Sequence, residues 1–240
     1  MLAVPMAIVL AAAQVSSSSA QPESSSAQPE SPSGDVAPPA APSPPPHGLE
    51  LSAGLGYSLP VGPLGVAAEG LGTHISNLET AAVPLSLEAG YLFSGWLFVG
   101  GTLSWGPAVA PNNPGPCRGA GVSCFDQDIQ ALAVARLYFD PRAHTTGWFG
   151  VAVGWEAATF ATSTNGTTRT ATYTGPVMVD LRLGFEVRSR PVAIAPYLGV
   201  AIGEYVTRGV DPSSPPVPVW IATALHEWIT LGIRGTYGPL

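Results

Sequence analysis

Leu49-Glu50-Leu51-Ser52-Ala53-Gly54-Leu55-Gly56-Tyr57-Ser58-Leu59 alternates without a break. Leu49, Leu51, Ala53, Leu55, Tyr57 and Leu59 fall on one side, and Glu50, Ser52, Gly54, Gly56 and Ser58 on the other. Successive side chains of a strand point to opposite faces, so this is a strand with one apolar face and one small or polar face. The division returns at Val177, Val179, Leu181, Leu183, Phe185 and Val187, set against Met178, Asp180, Arg182, Gly184, Glu186 and Arg188. Working outward from these two stretches, the same period predicts strands near 48–59, 81–93, 96–106, 128–139, 148–160, 173–187, 192–206 and 220–237. Each is near or above the ~9–11 residues that a tilted strand needs to cross a bilayer.

Composition narrows where such strands reside. Of the 240 residues, 46% are hydrophobic and only 10% charged, against about 25% charged in ordinary soluble domains. Past the N-terminus there is no run of ~18 uncharged apolar residues, so a spanning helix is not expected and strands are the remaining route across a membrane. A soluble sandwich also alternates, but its wet face is usually charged, whereas here that face carries Gly54, Gly56, Gly90, Gly100, Gly154, Gly184, Gly199, Gly203 and Gly232. Small residues suit the crowded interior of an eight-stranded barrel. The expected fold is therefore all-β: an eight-stranded antiparallel up-and-down transmembrane β-barrel over 47–240, preceded by a disordered Pro/Ser-rich tether.

Charges of both signs share the glycine face: Glu50, Glu88, Arg136, Glu156, Asp180, Arg182, Glu186 and Arg234. Inside a barrel they must pair, because an unpaired buried charge costs several kcal/mol. This predicts a plugged, salt-bridged lumen. Glu204 and Glu227 break the pattern, since parity turns them toward lipid; they either stand above the bilayer or follow a bulge.

Residues 1–15 read as the apolar core of a secretory signal, with cleavage after 13 or after 20. Residues 16–46 are Ser, Pro, Ala, Gln and Glu, with SSSAQPE repeated at 17–23 and 24–30; such a stretch cannot bury a core and is expected to be a disordered linker. The net charge is -7 with no lysine, which disfavours nucleic acid as a partner. Cys117 and Cys124 lie close together in a Pro/Gly/Asn-rich stretch, and in an oxidising compartment they are expected to form a disulfide. No metal-ligand or phosphate-loop pattern stands out, so neither metal nor cofactor is expected.

The connections alternate in length. Those through Ser94-Gly95, 140–147 and 188–191 are short, while 60–80, 107–127, 161–172 and 207–219 are expected to be long loops. Short turns belong to the periplasmic side and long loops to the outside, which places both termini in the periplasm. Aromatic residues at strand ends suggest interfacial girdles. The inner girdle would hold Tyr91, Phe93, Phe139, Trp148, Phe149 and Tyr237, and the outer one Tyr57, Trp105, Phe160, Tyr173 and Trp220.

On this pattern the chain resembles the small bacterial outer-membrane barrels of the OmpA transmembrane-domain and OmpX type. The last strand carries the likeness furthest: Ile229, Leu231, Ile233 and Tyr237 lie on one face and look like the C-terminal signal read by the barrel-assembly machinery. The resemblance implies insertion by that machinery and a monomer in outer-membrane lipid. Among the four histidines, His47 and His144 read as solvated, His74 lies in the first long loop beside Ser76, and His226 points into the lumen. His226 and Glu227 face opposite ways and make a poor dyad. The leading expectation is a non-enzymatic structural or surface protein whose long loops contact an external ligand. Two alternatives stay open: a passive small-solute pore or carrier, and a lipid-modifying enzyme using His74 or His226.

Overall fold

A computed structural model describes residues 47–62, 81–108, 121–189, 191–211 and 219–238. The segments expected to be a signal and a linker, His74, Cys117, Arg118 and Arg190 lie outside them, as do the side chains of 210–211 and 219–224. Eight strands follow one another: β1 Gly48–Val61, β2 Leu85–Phe93, β3 Leu97–Pro107, β4 Val122–Tyr138, β5 Thr145–Thr164, β6 Thr167–Ser189, β7 Val192–Asp211 and β8 Val219–Tyr237. Each pairs antiparallel with the next, and β1 pairs with β8 from Leu51↔Tyr237 to Val61↔Glu227, closing the ring. Closure leaves no sheet edge along the ring, which a strand in hydrocarbon requires because lipid offers no hydrogen bonds.

Strand limits differ from the sequence pattern at instructive places. β2 begins at Leu85 because Pro84 has no N–H to give the ladder; Ala82 before it makes only isolated bridges to Ser58 and Ala108. The segment 107–127 is a shorter connection than predicted, since β3 ends at Pro107 and β4 already starts at Val122, placing Cys124 inside a strand. The expected long loop at 161–172 is absent. β5 and β6 are instead paired to Thr164↔Thr167 around a two-residue turn, Asn165-Gly166. Both turn residues have positive φ, 51° and 79°, the conformation that asparagine followed by glycine favours and that matches strand twist. A Cβ on Gly166 would meet nothing within 4 Å, so Gly166→Val isolates the backbone penalty. The expected loss is about 1–2 kcal/mol, checked by urea unfolding of the refolded protein; a loss below ~0.3 kcal/mol would contradict the left-handed turn.

A second correction concerns facing. Val177, expected toward lipid, is buried, and Met178, expected in the lumen, is exposed. The register shifts at Ala152/Gly154 against β6 and at both Thr174/Val177 and Val177/Val179 against β7. Pro176 sits among these slips, and a proline inside a strand is tolerated where the ladder is already broken. Below the slips the even-numbered Asp180, Arg182, Glu186 and Arg188 of β6 turn inward; above them the odd-numbered Tyr173, Gly175 and Val177 do.

Three aromatic assignments are likewise reversed. Trp148 is buried in the lumen, and Phe160 and Tyr173 pack against the interior cluster. Tyr91, Phe93, Phe139, Phe149 and Tyr237 are exposed toward the end expected to be the inner one, as are Tyr57 and Trp105 toward the opposite end. The side chain of Trp220 falls outside the described residues.

Candidate functional site

The lumen is filled by layers of charge and aromatic rings. In the inner half, Arg136 Nη1 donates to Glu50 Oε1 at 2.8 Å and to the Tyr138 hydroxyl at 2.8 Å, while Nη2 pairs with Glu88. Arg234 Nη2 donates to Glu186 Oε2 at 3.0 Å, and its Nη1 lies 3.7 Å from Glu88. Arg188 Nε donates to Glu186 Oε1 at 2.8 Å, and its Nη1 donates to the Pro141 carbonyl at 2.7 Å. Three carboxylates thus face three guanidinium groups, so the layer is neutral. Planar guanidinium forks suit such shared pairing, and they also stack. Arg136 lies 4.5 Å from the Phe98 ring centre and 5.3 Å from that of Trp148, and Arg234 lies 4.5 Å from Trp148. That explains why Trp148 faces inward: it caps two buried cations.

At mid-height Arg182 Nε donates to Asp180 Oδ2 at 2.9 Å on the same strand. In the outer half His226 Nε2 contacts Glu156 Oε1, and the imidazole stacks on Tyr205 with centres 4.1 Å apart and planes at 9°. Gln130 Nε2 donates to Asp128 Oδ2 at 2.8 Å and to Glu156 Oε2 at 3.4 Å, extending this cluster to β4. The eight residues expected in the lumen therefore all face it. Arg188, Tyr138, Gln130 and Asp128 belong with them; their interior parity was readable, but no pattern in the sequence says which ring or amide completes a network.

Among the described residues two small cavities lie in the lumen. One, of about 40 Å³, lies between Ser58, Ser104, Asp128, Asp180 and Trp228; the other, of about 10 Å³, lies beside Glu88, Arg136, Trp148 and Arg234. A water needs roughly 10–15 Å³, so the first has room for about three waters and the second for at most one.

The outer wall is the opposite of the interior. Leu49 is 75% exposed, Leu87 67% and Leu231 57%, whereas Glu50, Glu186 and His226 are 0% exposed. Water would penalise each such leucine by about 1.5–3 kcal/mol, so this wall is fitted to hydrocarbon. The chain is a membrane-spanning β-barrel.

Ile229, Leu231, Ile233 and Tyr237 all lie on that wall. Glu204 and Glu227 do too: Glu204 stands opposite Leu225 and Glu227 opposite Ile202, and the slip at Tyr205/Thr207 lies beyond both. Of the cysteines only Cys124 is described, with its Sγ 3.8 Å from Thr162 Oγ1. His47 and His144 are exposed. Among the described residues, no group of three or more His, Cys, Asp or Glu side chains is arranged to hold a metal.

No family model matches the chain and no curated protein does. Solved structures do. Neisserial surface protein A is similar at 13% identity over 81% of this chain and 99% of its own, with a TM-score of 0.47. A major outer membrane protein from Thermus thermophilus is similar at 13% identity over 79% and 99%, with a TM-score of 0.48. Ail, the attachment invasion locus protein of Yersinia pestis, is similar at 11% identity over 78% and 98%, with a TM-score of 0.43. Likeness at this level carries no role across to this chain.

Proposed function

We propose that the chain is a non-enzymatic protein of a bacterial outer membrane, a sealed barrel that carries a sheet and loops outside the cell for contact with a partner. The carrying observation is the neutral inner layer. Glu50, Glu88 and Glu186 are locked to Arg136, Arg188 and Arg234, with Trp148 and Phe98 beside them, which supports a lumen closed to solute. A pore needs a wetted wall with weak, replaceable contacts, so the passive-channel alternative is disfavoured. Enzymatic use of His226 is disfavoured as well, because the ring is held between Glu156 and Tyr205 with no exposed edge. In this reading the machinery that assembles such barrels inserts the chain as a monomer, and the N-terminal tether lies in the periplasm.

What the barrel presents outside is sheet as much as loop. β3 stops pairing at Pro107↔Gln127 and β1 at Val61↔Glu227, while β4 continues to Val122, β5 and β6 to their shared turn, and β7 to Asp211. Strands that outrun their neighbours offer backbone for an extended segment of a partner.

Planar-bilayer recording of the refolded protein tests the sealed lumen. The native chain is expected to give no steady conductance, and the pair Arg136→Ala with Arg234→Ala, which empties the inner layer of two guanidinium groups, is expected to give intermittent openings. Stable channels in the native chain that Arg182→Ala leaves unchanged would refute the plug.

A further inference from the structure

The outward side of the outer rim has its own chemistry. Thr159 and Thr172 face outward on β5 and β6 with their hydroxyls 3.4 Å apart, and Thr174 and Thr207 do so on β6 and β7 at 2.6 Å. One step further round the ring stand the outward carboxylates of Glu204 and Glu227. Toward the other side Phe125 is 52% exposed. This belt overlaps the outer edge of the apolar wall, where the exposed Leu225 stands opposite Glu204 and Val61 opposite Glu227; in an outer membrane it would meet the region where a glycolipid passes from acyl chain to sugar.

Its charge is unusual for that height. Among the described residues Arg136, Arg182, Arg188 and Arg234 are all turned into the lumen. Arg208 lies over the inward Tyr173 ring at 5.5 Å, Arg142 is in an inner turn, and Arg169 is near the hairpin tip. Among the described residues the belt therefore shows carboxylates and hydroxyls and no cation to a neighbouring lipid. A phosphate offers only acceptors and negative charge, and two outward carboxylates repel it. A neutral sugar hydroxyl both donates and accepts. Each threonine pair consumes one of its two hydrogens and leaves the other, with free lone pairs, to such a group; carboxylates accept from sugar hydroxyls, and an exposed ring offers a sugar an apolar face.

Resting on the outer-membrane reading above, we infer that this belt is a contact surface for the uncharged saccharide of an outer-leaflet glycolipid, not for its phosphates. The full chain is placed in nanodiscs of phosphatidylcholine, of lipopolysaccharide bearing its lipid A phosphates, and of the same lipopolysaccharide after phosphatase, all in EDTA. The midpoint at which heating abolishes the fast-running gel band is then compared. The dephosphorylated glycolipid is expected to raise the midpoint above phosphatidylcholine, and the phosphorylated one to raise it less. Replacing Thr159, Thr172, Thr174 and Thr207 by valine keeps β-branched shape, and is expected to remove the gain while leaving the phosphatidylcholine midpoint in place. If that variant does not fold, Glu204→Gln with Glu227→Gln serves instead and should bring the phosphorylated glycolipid up to the dephosphorylated one.

Stabilisation that requires the phosphates, equal midpoints in all three lipids, or carboxamide variants without effect would overturn the inference. A chain with no heat-dependent band in any lipid would instead sink the membrane reading beneath it.

Discussion

Arg136→Ala is expected to destabilise the barrel by about 3–5 kcal/mol, the usual cost of stranding buried charges. Arg136 is 1% exposed and joins Glu50 on β1 to Glu88 on β2 and to its own-strand Tyr138. Without it Glu50 keeps only the weaker 3.3 Å contact with the Tyr138 hydroxyl, and Glu88 keeps only Arg234 at 3.7 Å. The rings of Phe98 and Trp148 also lose the cation between them. Urea titration of the refolded protein in lipid vesicles, followed by the gel shift between folded and unfolded bands, measures the loss. Combining Glu50→Gln with Arg136→Met should recover most of it, since one carboxylate and one guanidinium leave together, Glu88 keeps Arg234 and Glu186 keeps Arg188, and replacing a buried pair with neutral groups is often close to neutral. A single-variant loss below ~1 kcal/mol, in the range of an exposed pair, would mean that water reaches this layer and the seal is incomplete.

Leu87→Arg is expected to cost about 2–4 kcal/mol in a bilayer, the penalty for a cation on the lipid side near the midplane. Leu87 pairs with Ala53 and Leu103, which lie near the middle of β1 and β3, and is 67% exposed. The sign of the effect decides the environment. On a water-exposed wall the same change would be harmless within ~0.5 kcal/mol, and it would lower the tendency to aggregate. A tolerated arginine at this position would therefore overturn the membrane reading of the outer wall, whatever the state of the lumen.

Much of this architecture was legible because two periods coincide with two environments. Leu49 through Leu59 alternate in sequence and in space, and the inward set that begins with Glu50 and Ser52 needs no adjustment. The glycine-rich inner face also foretold a full lumen: the Trp148 ring lies against Gly184 and the Phe98 ring against Gly90 and Gly100, where a Cβ would collide. What failed did so for physical reasons. A fixed period of two cannot survive a bulge, so Val177 and Met178 were exchanged, although Gly175-Pro176 in mid-strand was a signal of the break. Position along the strand assigns Trp148 and Phe160 to girdles although their parity with Gly154 and Glu156 turns them inward, whereas Tyr173, outward by parity, is turned inward by the same slips that exchange Val177 and Met178. The Asn165-Gly166 turn was hidden by the threonines around it, whose β-branched side chains favour the strands that they extend.

The slips in register fall along one line. Gly154, Val177, Gly203 and His226 are successive register partners across β5, β6, β7 and β8, and the irregularities cluster beside them. Such a line uncouples the two halves of β6 and β7, where residues above it take their face independently of residues below. An inserted or lost residue in the outer sheet can be absorbed there, leaving the pairing of Asp180, Arg182 and Glu186 with their neighbours undisturbed. The outer part of this protein is thereby free to vary, or to be rebuilt with foreign sequence, on a base that keeps its fit to the membrane.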